Sequence, residues 1–67
     1  MPDIKIAFGK RLRELREAKG MSQELLAHEA GLDRTYVSSV ERGQRNISLE
    51  NIERLAFGMK VKDFFKD

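Results

Sequence analysis

Side chains that can both donate and accept hydrogen bonds are concentrated in residues 33–42, with the sequence DRTYVSSVER. Thr35, Ser38, Ser39 and Arg42 are separated by the three, four and seven residues that predict one continuous outward face on an α-helix. Ser and β-branched residues are mediocre helix formers, so helix propensity does not account for this face. Polar groups of these types are suited to contacting base edges in the major groove. The segment therefore predicts a helix that reads DNA.

A second short helix is predicted directly before it, so that residues 22–42 form a helix-turn-helix. Ser22 has the side chain expected at a helix N-cap, and Asp33 would cap the following helix in the same way. Gly31 supplies the tight turn between them, because glycine adopts the left-handed conformation without a steric penalty. Gly43 is predicted to end the second of the two helices.

The rest of the chain predicts further amphipathic helices and no strands. Residues 4–18 carry apolar side chains at steps of three and four: Ile4, Phe8, Leu12, Leu15 and Ala18. After a cap at Ser48, a fourth helix has an apolar stripe made of Leu49, Ile52, Leu55, Ala56 and Met59. A short helical turn is expected at residues 62–66. We therefore expect one all-α domain over residues 1–67, a compact four- to five-helix bundle.

Charge is distributed unevenly along the chain. Charged residues make up 36% of the sequence, yet the formal net charge is only +2. Residues 5–19 contain six bases against two acids, and Arg34, Arg42 and Arg45 follow further along. A basic first helix favours attraction to nucleic acid, although an ordinary solvated helix face would have the same composition.

Several classes of function are not expected. The chain has no cysteine and a single histidine, His28, so no metal site, catalytic constellation or cofactor is predicted, and the protein is not expected to be an enzyme. No apolar run approaches the ~18 residues of a membrane span, and the first residues lack a signal peptide. A cytoplasmic, nucleoid-associated protein without membrane or small-molecule partners is expected.

Five motifs, taken together at their spacing, are similar to a known family: LRELR at 12–16, SQE at 22–24, AGL at 30–32, VSSVERG at 37–43 and RNISL at 45–49. They resemble the lambda-repressor-like, Cro-type (XRE) helix-turn-helix regulators. Within that family, the chain looks most like the controller proteins of restriction–modification systems.

The resemblance implies a role for each matching position. Base contacts are implied for Arg34, Thr35, Tyr36 and Ser39. Contacts to the phosphate backbone are implied for Ser22, Gln23, Ser38, Arg42, Arg45 and Asn46. A structural ion pair is implied between Arg16 and Glu41. For Tyr36, packing against its own helix remains open, and for Arg42 and Arg45 the alternative is a plain solvated face.

The family also implies a homodimer on a pseudo-palindromic DNA operator, acting as a transcriptional regulator, with RNA polymerase as a further candidate partner. The expected dimerisation region is residues 47–67, with Phe57, Val61, Phe64 and Phe65 at the interface; the alternative for these four is an ordinary satellite cluster of apolar side chains. Two alternatives stay open: a phage or plasmid repressor or an antitoxin of the same fold, and a protein-interaction adaptor that does not read DNA.

Overall fold

The computed structural model describes residues 3–60, and all regular secondary structure in that range is helical. The helices are α1 (Ile4–Ala18), α2 (Gln23–Ala30), α3 (Arg34–Glu41) and α4 (Leu49–Met59). The all-α fold predicted from the sequence is thus confirmed, with four helices in the described range. The helical turn predicted at residues 62–66 lies outside it.

Each helix begins at a residue whose side chain accepts a hydrogen bond from a backbone N–H of the first turn, as N-caps do. The caps are Asp3, Ser22, Asp33 and Ser48, at 2.7–3.1 Å from the nitrogen they accept from. Between α2 and α3, Gly31 has a φ of 69°, and the Leu32 N–H returns to the Ala27 carbonyl at 2.8 Å. The turn is therefore closed by backbone hydrogen bonds, which fixes where α3 begins.

The core is formed by apolar side chains from all four helices. Its fully buried members are Leu12, Leu26, Val37, Val40, Leu55 and Met59. The prediction of the apolar stripes was wrong at their ends: Ile4 and Leu49 are each 80% exposed, and Ala18 is also exposed. Each of these residues occupies the first or last position of its helix, away from the fully buried positions.

Helix α3 lies unusually close to α1 because α1 has no side chain at the crossing point. A Cβ atom built on Gly9 would lie 2.3 Å from the Val40 carbonyl oxygen and 2.7 Å from that of Glu41. Contacts this short are not tolerated, so only glycine permits this approach. The C-terminal end of α3 is consequently set directly on the backbone of α1.

Candidate nucleic-acid interface

The polar face of α3 is open to solvent at its N-terminal end and along one side. Arg34, Thr35 and Arg42 are exposed, and Ser38 is half-buried between them. At about 100° of rotation per residue these four side chains share one narrow arc of the helix surface. Arg34 and Thr35 occupy the first two helical positions, directly after the Asp33 cap.

Asp33 is held by the residues that it caps. Its Oδ1 accepts from the Thr35 N–H at 2.7 Å. Hydrogen bonds from Thr35, above all this backbone one, lower the pKa of the Asp33 carboxyl below its ordinary value. The ionised cap therefore fixes the first turn of α3, from which Arg34 and Thr35 project.

The assignment of Ser39 to the outward face was wrong. Ser39 is only 7% exposed, and its hydroxyl donates to the Thr35 carbonyl oxygen at 2.9 Å. A serine can be buried in this way because the backbone one turn earlier satisfies its single polar group. The outward arc is therefore formed by Arg34, Thr35, Ser38 and Arg42, and Ser39 lies just outside it.

Arg42 is oriented by its neighbours at the C-terminal end of this face. Its Nη1 donates to the Ser38 hydroxyl at 2.7 Å and its Nε donates to Gln44 Oε1 at 3.3 Å. These bonds use two of the five N–H groups of the guanidinium, so further N–H groups remain for an anion. Arg42 and Ser38 thus form a small donor pair at the solvent-exposed side of α3.

A buried ion pair ties the end of α3 to α1. Arg16 donates from Nε to Glu41 Oε2 at 2.6 Å and from Nη2 to Oε1 at 3.0 Å, the bidentate geometry of a strong pair. The side chains are only 10% and 3% exposed. Arg16 Nη1 also donates to the Met21 carbonyl at 2.8 Å. The structure therefore contains the ion pair that the family resemblance implied.

Gln23, the first residue of α2, joins this cluster. Its amide nitrogen donates to Glu41 Oε1 at 3.0 Å, a contact that the sequence did not suggest. The hydrogen bond with Glu41 is the largest influence on Arg16 and raises the pKa of its guanidinium, against the opposing effect of burial. The Glu41 carboxylate of α3 thus receives hydrogen bonds from α1 and from α2. The phosphate contact that the resemblance implies for Gln23 would use the second N–H of its amide nitrogen.

A second cluster, also missed by the sequence analysis, joins α3 to α4. The Asn51 amide nitrogen donates to the Tyr36 hydroxyl oxygen at 3.0 Å. The Arg45 guanidinium carbon lies 5.6 Å from the centre of the Tyr36 ring, within the range of a cation–π contact. Tyr36 therefore packs between α4 and the α3–α4 connection, where Arg45 and Asn46 are exposed.

The remaining predicted residues lie elsewhere on the surface. Ser22 is exposed, and its hydroxyl is engaged as the α2 cap, accepting from the Leu25 N–H at 3.0 Å. Phe57 is 80% exposed on α4. The other predicted dimer residues, Val61, Phe64 and Phe65, lie outside the described residues. His28 is exposed on α2.

The described residues lack the features of two other classes of site. Within residues 3–60 no group of three or more His, Cys, Asp or Glu side chains is arranged to hold a metal ion. No helix in that range is long and apolar enough to cross a bilayer.

Comparison with known proteins identifies the family. The family model described as "Helix-turn-helix" matches residues 12–61, which include α2, α3 and α4. The chain belongs to this helix-turn-helix family, of the XRE type. The resemblance drawn from the sequence motifs is thereby confirmed.

The similar proteins narrow the class further. The chain is 47% identical to control protein C.MunI of Mycoplasma sp over 70 residues, covering all of this chain and 95% of that protein. It is 50% identical to control protein C.BamHI of Bacillus amyloliquefaciens, covering 91% and 79%. The crystal structure of the controller protein C.AhdI from Aeromonas hydrophila matches with a TM-score of 0.85 and 60% identity over 87% of this chain and 88% of that one. The helix-turn-helix regulator is therefore of the restriction–modification controller type.

Proposed function

We propose that the protein is a homodimeric, sequence-specific regulator that binds a pseudo-palindromic operator and controls the transcription of a restriction–modification operon. The observation that carries the proposal is the exposed arc of α3 on a helix held by buried contacts at its far end. Arg34 and Thr35 project from the free end, whereas Glu41 anchors the other. Base-reading side chains need this kind of fixed support, because a loosely held helix would lose its register in the groove.

Direct base contacts are assigned to the N-terminal end of α3, with Tyr36 beside them. In helix-turn-helix proteins that end of the recognition helix lies deepest in the major groove. The Arg34 guanidinium has the fork of donors that matches guanine O6 and N7, and the Thr35 methyl suits a thymine methyl. The buried Ser39 is not included among these contacts, because its hydroxyl already bonds to the backbone.

Backbone contacts are assigned to the groups around this face. Arg42 with Ser38 flanks one side of it, and Arg45 with Asn46 flanks another, where the chain leaves α3. Ser22 and Gln23 stand at the N-terminus of α2, whose unpaired N–H groups favour an anion. Phosphate contacts from several directions would fix the protomer on the duplex without specifying sequence.

Dimerisation is assigned to the outer face of α4. Leu49, Glu53 and Phe57 are all exposed and follow one another at steps of four, so that they share a stripe. Two large apolar side chains in one such stripe favour burial against a second copy. In the dimer the two recognition helices would stand about 34 Å apart, one turn of DNA.

The dimer is tested by sedimentation equilibrium. A Phe57→Glu variant is expected to be monomeric, because a second acid beside Glu53 would replace a large apolar side chain of the stripe, whereas Phe57→Leu should remain dimeric. Unchanged self-association of the Phe57→Glu variant would contradict the assignment.

The relatives support the operator and the operon. C.Esp1396I, to which the chain is 36% identical with a TM-score of 0.90 over 97% of this chain and 88% of that one, has been solved as a tetramer in complex with its natural 35 base-pair operator. By analogy we place this protein in the cytoplasm on the nucleoid, with RNA polymerase as a second partner. Adjacent genes for a restriction endonuclease and a methyltransferase would support operon control, whereas neighbouring phage or toxin genes would favour the alternative regulators.

DNA binding itself is tested by gel shift with random-sequence duplexes at two salt concentrations, followed by selection of the bound sequences. We expect binding that weakens steeply with salt, because phosphate neutralisation releases counterions, and a selected site with two-fold symmetry. Failure to bind any duplex at low salt would contradict the proposal and favour a protein-interaction adaptor.

A further inference from the structure

The cluster between α3 and α4 contains a hydrogen bond whose direction has a consequence for DNA binding. The Asn51 amide nitrogen is a donor only, and it lies 3.0 Å from the Tyr36 hydroxyl oxygen. Tyr36 must therefore accept in this bond. Its own O–H hydrogen takes no part in it and remains able to donate to another group.

The position of the Tyr36 hydroxyl indicates where the acceptor for its hydrogen would lie. Tyr36 follows Arg34 and Thr35 directly on α3, and it is half-buried, with its ring between α4 and the exposed Arg45. Arg45 brings a positive charge to within 5.6 Å of the ring centre. A donor hydroxyl on a ring that a guanidinium contacts, in the same turn of α3 as Arg34 and Thr35, suits the oxygen acceptors of a polyanion.

We propose that Asn51 is a positioning residue for DNA recognition: it holds the Tyr36 phenol in place with its hydroxyl hydrogen free, so that Tyr36 donates to an acceptor on the DNA. The inference rests on the proposed function. It assigns to α4 a part in forming the recognition surface, in addition to its proposed part in dimerisation. The acceptor is an oxygen or nitrogen of a base or a phosphate oxygen.

The test reverses the polarity of the bond. In an Asn51→Asp variant the carboxylate only accepts, so the Tyr36 hydroxyl must turn its hydrogen towards α4 and away from the DNA. An acid is favourable in the first turn of a helix, so α4 is expected to fold normally. The same substitution in a Tyr36→Phe background removes the hydroxyl and reports only the general effect of the added negative charge.

Affinity is measured for these proteins on a duplex that the unmodified protein selects from a random-sequence pool, and on duplexes that carry each single base-pair change in that site. We expect Asn51→Asp to weaken binding about three- to tenfold if the acceptor is a neutral base atom and about ten- to hundredfold if it is a phosphate oxygen, and far less in the Tyr36→Phe background. Glu50→Gln is an exposed change in the same turn of α4. It should change the DNA affinity slightly, and by the same factor whether residue 36 is Tyr or Phe. Thermal denaturation of every variant ensures that affinities refer to folded protein.

The outcomes separate this inference from the proposed function. If the unmodified protein selects and binds a duplex but Asn51→Asp weakens binding equally in both backgrounds, Asn51 does not act through Tyr36 and the inference is overturned while the function stands. If the unmodified protein binds no duplex, both fail. If Asn51→Asp weakens binding only when the Tyr36 hydroxyl is present, the inference holds and the Tyr36→Phe variant identifies the acceptor. A loss of affinity that is equal for all the duplexes indicates a phosphate oxygen, and a relaxed preference at one base pair indicates a base.

Discussion

Replacement of Glu41 by Gln is the perturbation whose outcome the structure defines most closely. Three donor groups converge on the Glu41 carboxylate at 2.6–3.0 Å: Nε and Nη2 of Arg16 and the amide nitrogen of Gln23. Glutamine retains one acceptor oxygen and brings an NH2 group against these donors. The Arg16 guanidinium then stays buried without its counter-charge, and such a loss costs about 3–5 kcal/mol.

That cost is large for a chain of this size. At roughly 0.05–0.15 kcal/mol per residue, 67 residues have a free energy of unfolding of about 3–10 kcal/mol. Because glutamine keeps one acceptor, we expect a loss near the lower end, about 3 kcal/mol, or a fall in Tm of roughly 12–24 °C. Urea denaturation and thermal melts monitored by circular dichroism would measure it.

The matched control is the pair of Arg13 and Glu17 on the surface of α1. These side chains are 64% and 55% exposed and lie 3.2 Å apart. Glu17→Gln removes the same charge from a solvated pair and should cost less than about 1 kcal/mol. A Glu41→Gln loss no larger than that of Glu17→Gln would refute the reasoning from burial.

A double replacement tests whether the buried pair of Arg16 and Glu41 stabilises the fold or orients α3. Arg16→Met with Glu41→Leu removes both charges together, so no unpaired charge remains and stability should return to within about 1–2 kcal/mol of the unmodified protein. DNA affinity should remain reduced, because α3 loses the bonds that orient it and Gln23 loses its acceptor. Full recovery of affinity would show that orientation does not depend on the pair.

Three further predictions concern the support of α3. Gly9→Ala should destabilise the fold by about 1–3 kcal/mol or more in urea denaturation, because its Cβ would meet the backbone of α3 at 2.3 Å; Gly58→Ala, with its nearest neighbour at 3.1 Å, should cost less. The lowered pKa of Asp33 means that the stabilising contribution of its carboxylate is complete above about pH 3.8 and is lost as pH falls through the lower folded value, so the Tm difference between the unmodified protein and Asp33→Asn, which keeps a capping side chain, should shrink in acid; a difference that does not change with pH would contradict the role of the ionised carboxylate. Ser39→Ala should change the free energy of unfolding by less than about 1.5 kcal/mol and leave the preferred DNA sequence unchanged, and altered base preference would return Ser39 to the recognition face.

The helix boundaries were predictable because local rules set them. Ser22, Asp33 and Ser48 cap helices as their types predict, and Gly31 has the left-handed φ expected of a turn glycine. These features depend on a few neighbouring residues, so a single sequence reveals them. The ion pair of Arg16 and Glu41 joins residues 25 positions apart, and only the family resemblance brought it forward.

The contacts between helices were not predictable, because they depend on how the helices cross. Ser39 lies at the border between the polar and the apolar faces of α3. A small rotation of the helix about its axis therefore determines whether this side chain faces solvent or the core. The bond from Asn51 to Tyr36 spans 15 residues and needs the angle between α3 and α4, which no periodicity encodes. For Gln23 the family resemblance implied a phosphate contact, whereas its bond to Glu41 appears only when α2 and α3 are placed together.

The central claim, that the exposed end of α3 reads base sequence, is tested most directly by the base preferences of an Arg34→Ala variant. Binding of the variant and of the unmodified protein would be measured against every single base-pair change in the selected half-site. We expect the variant to lose about 1–3 kcal/mol of discrimination at one base pair and to keep its preferences elsewhere. An equal loss of affinity for all the duplexes, or no loss, would contradict it.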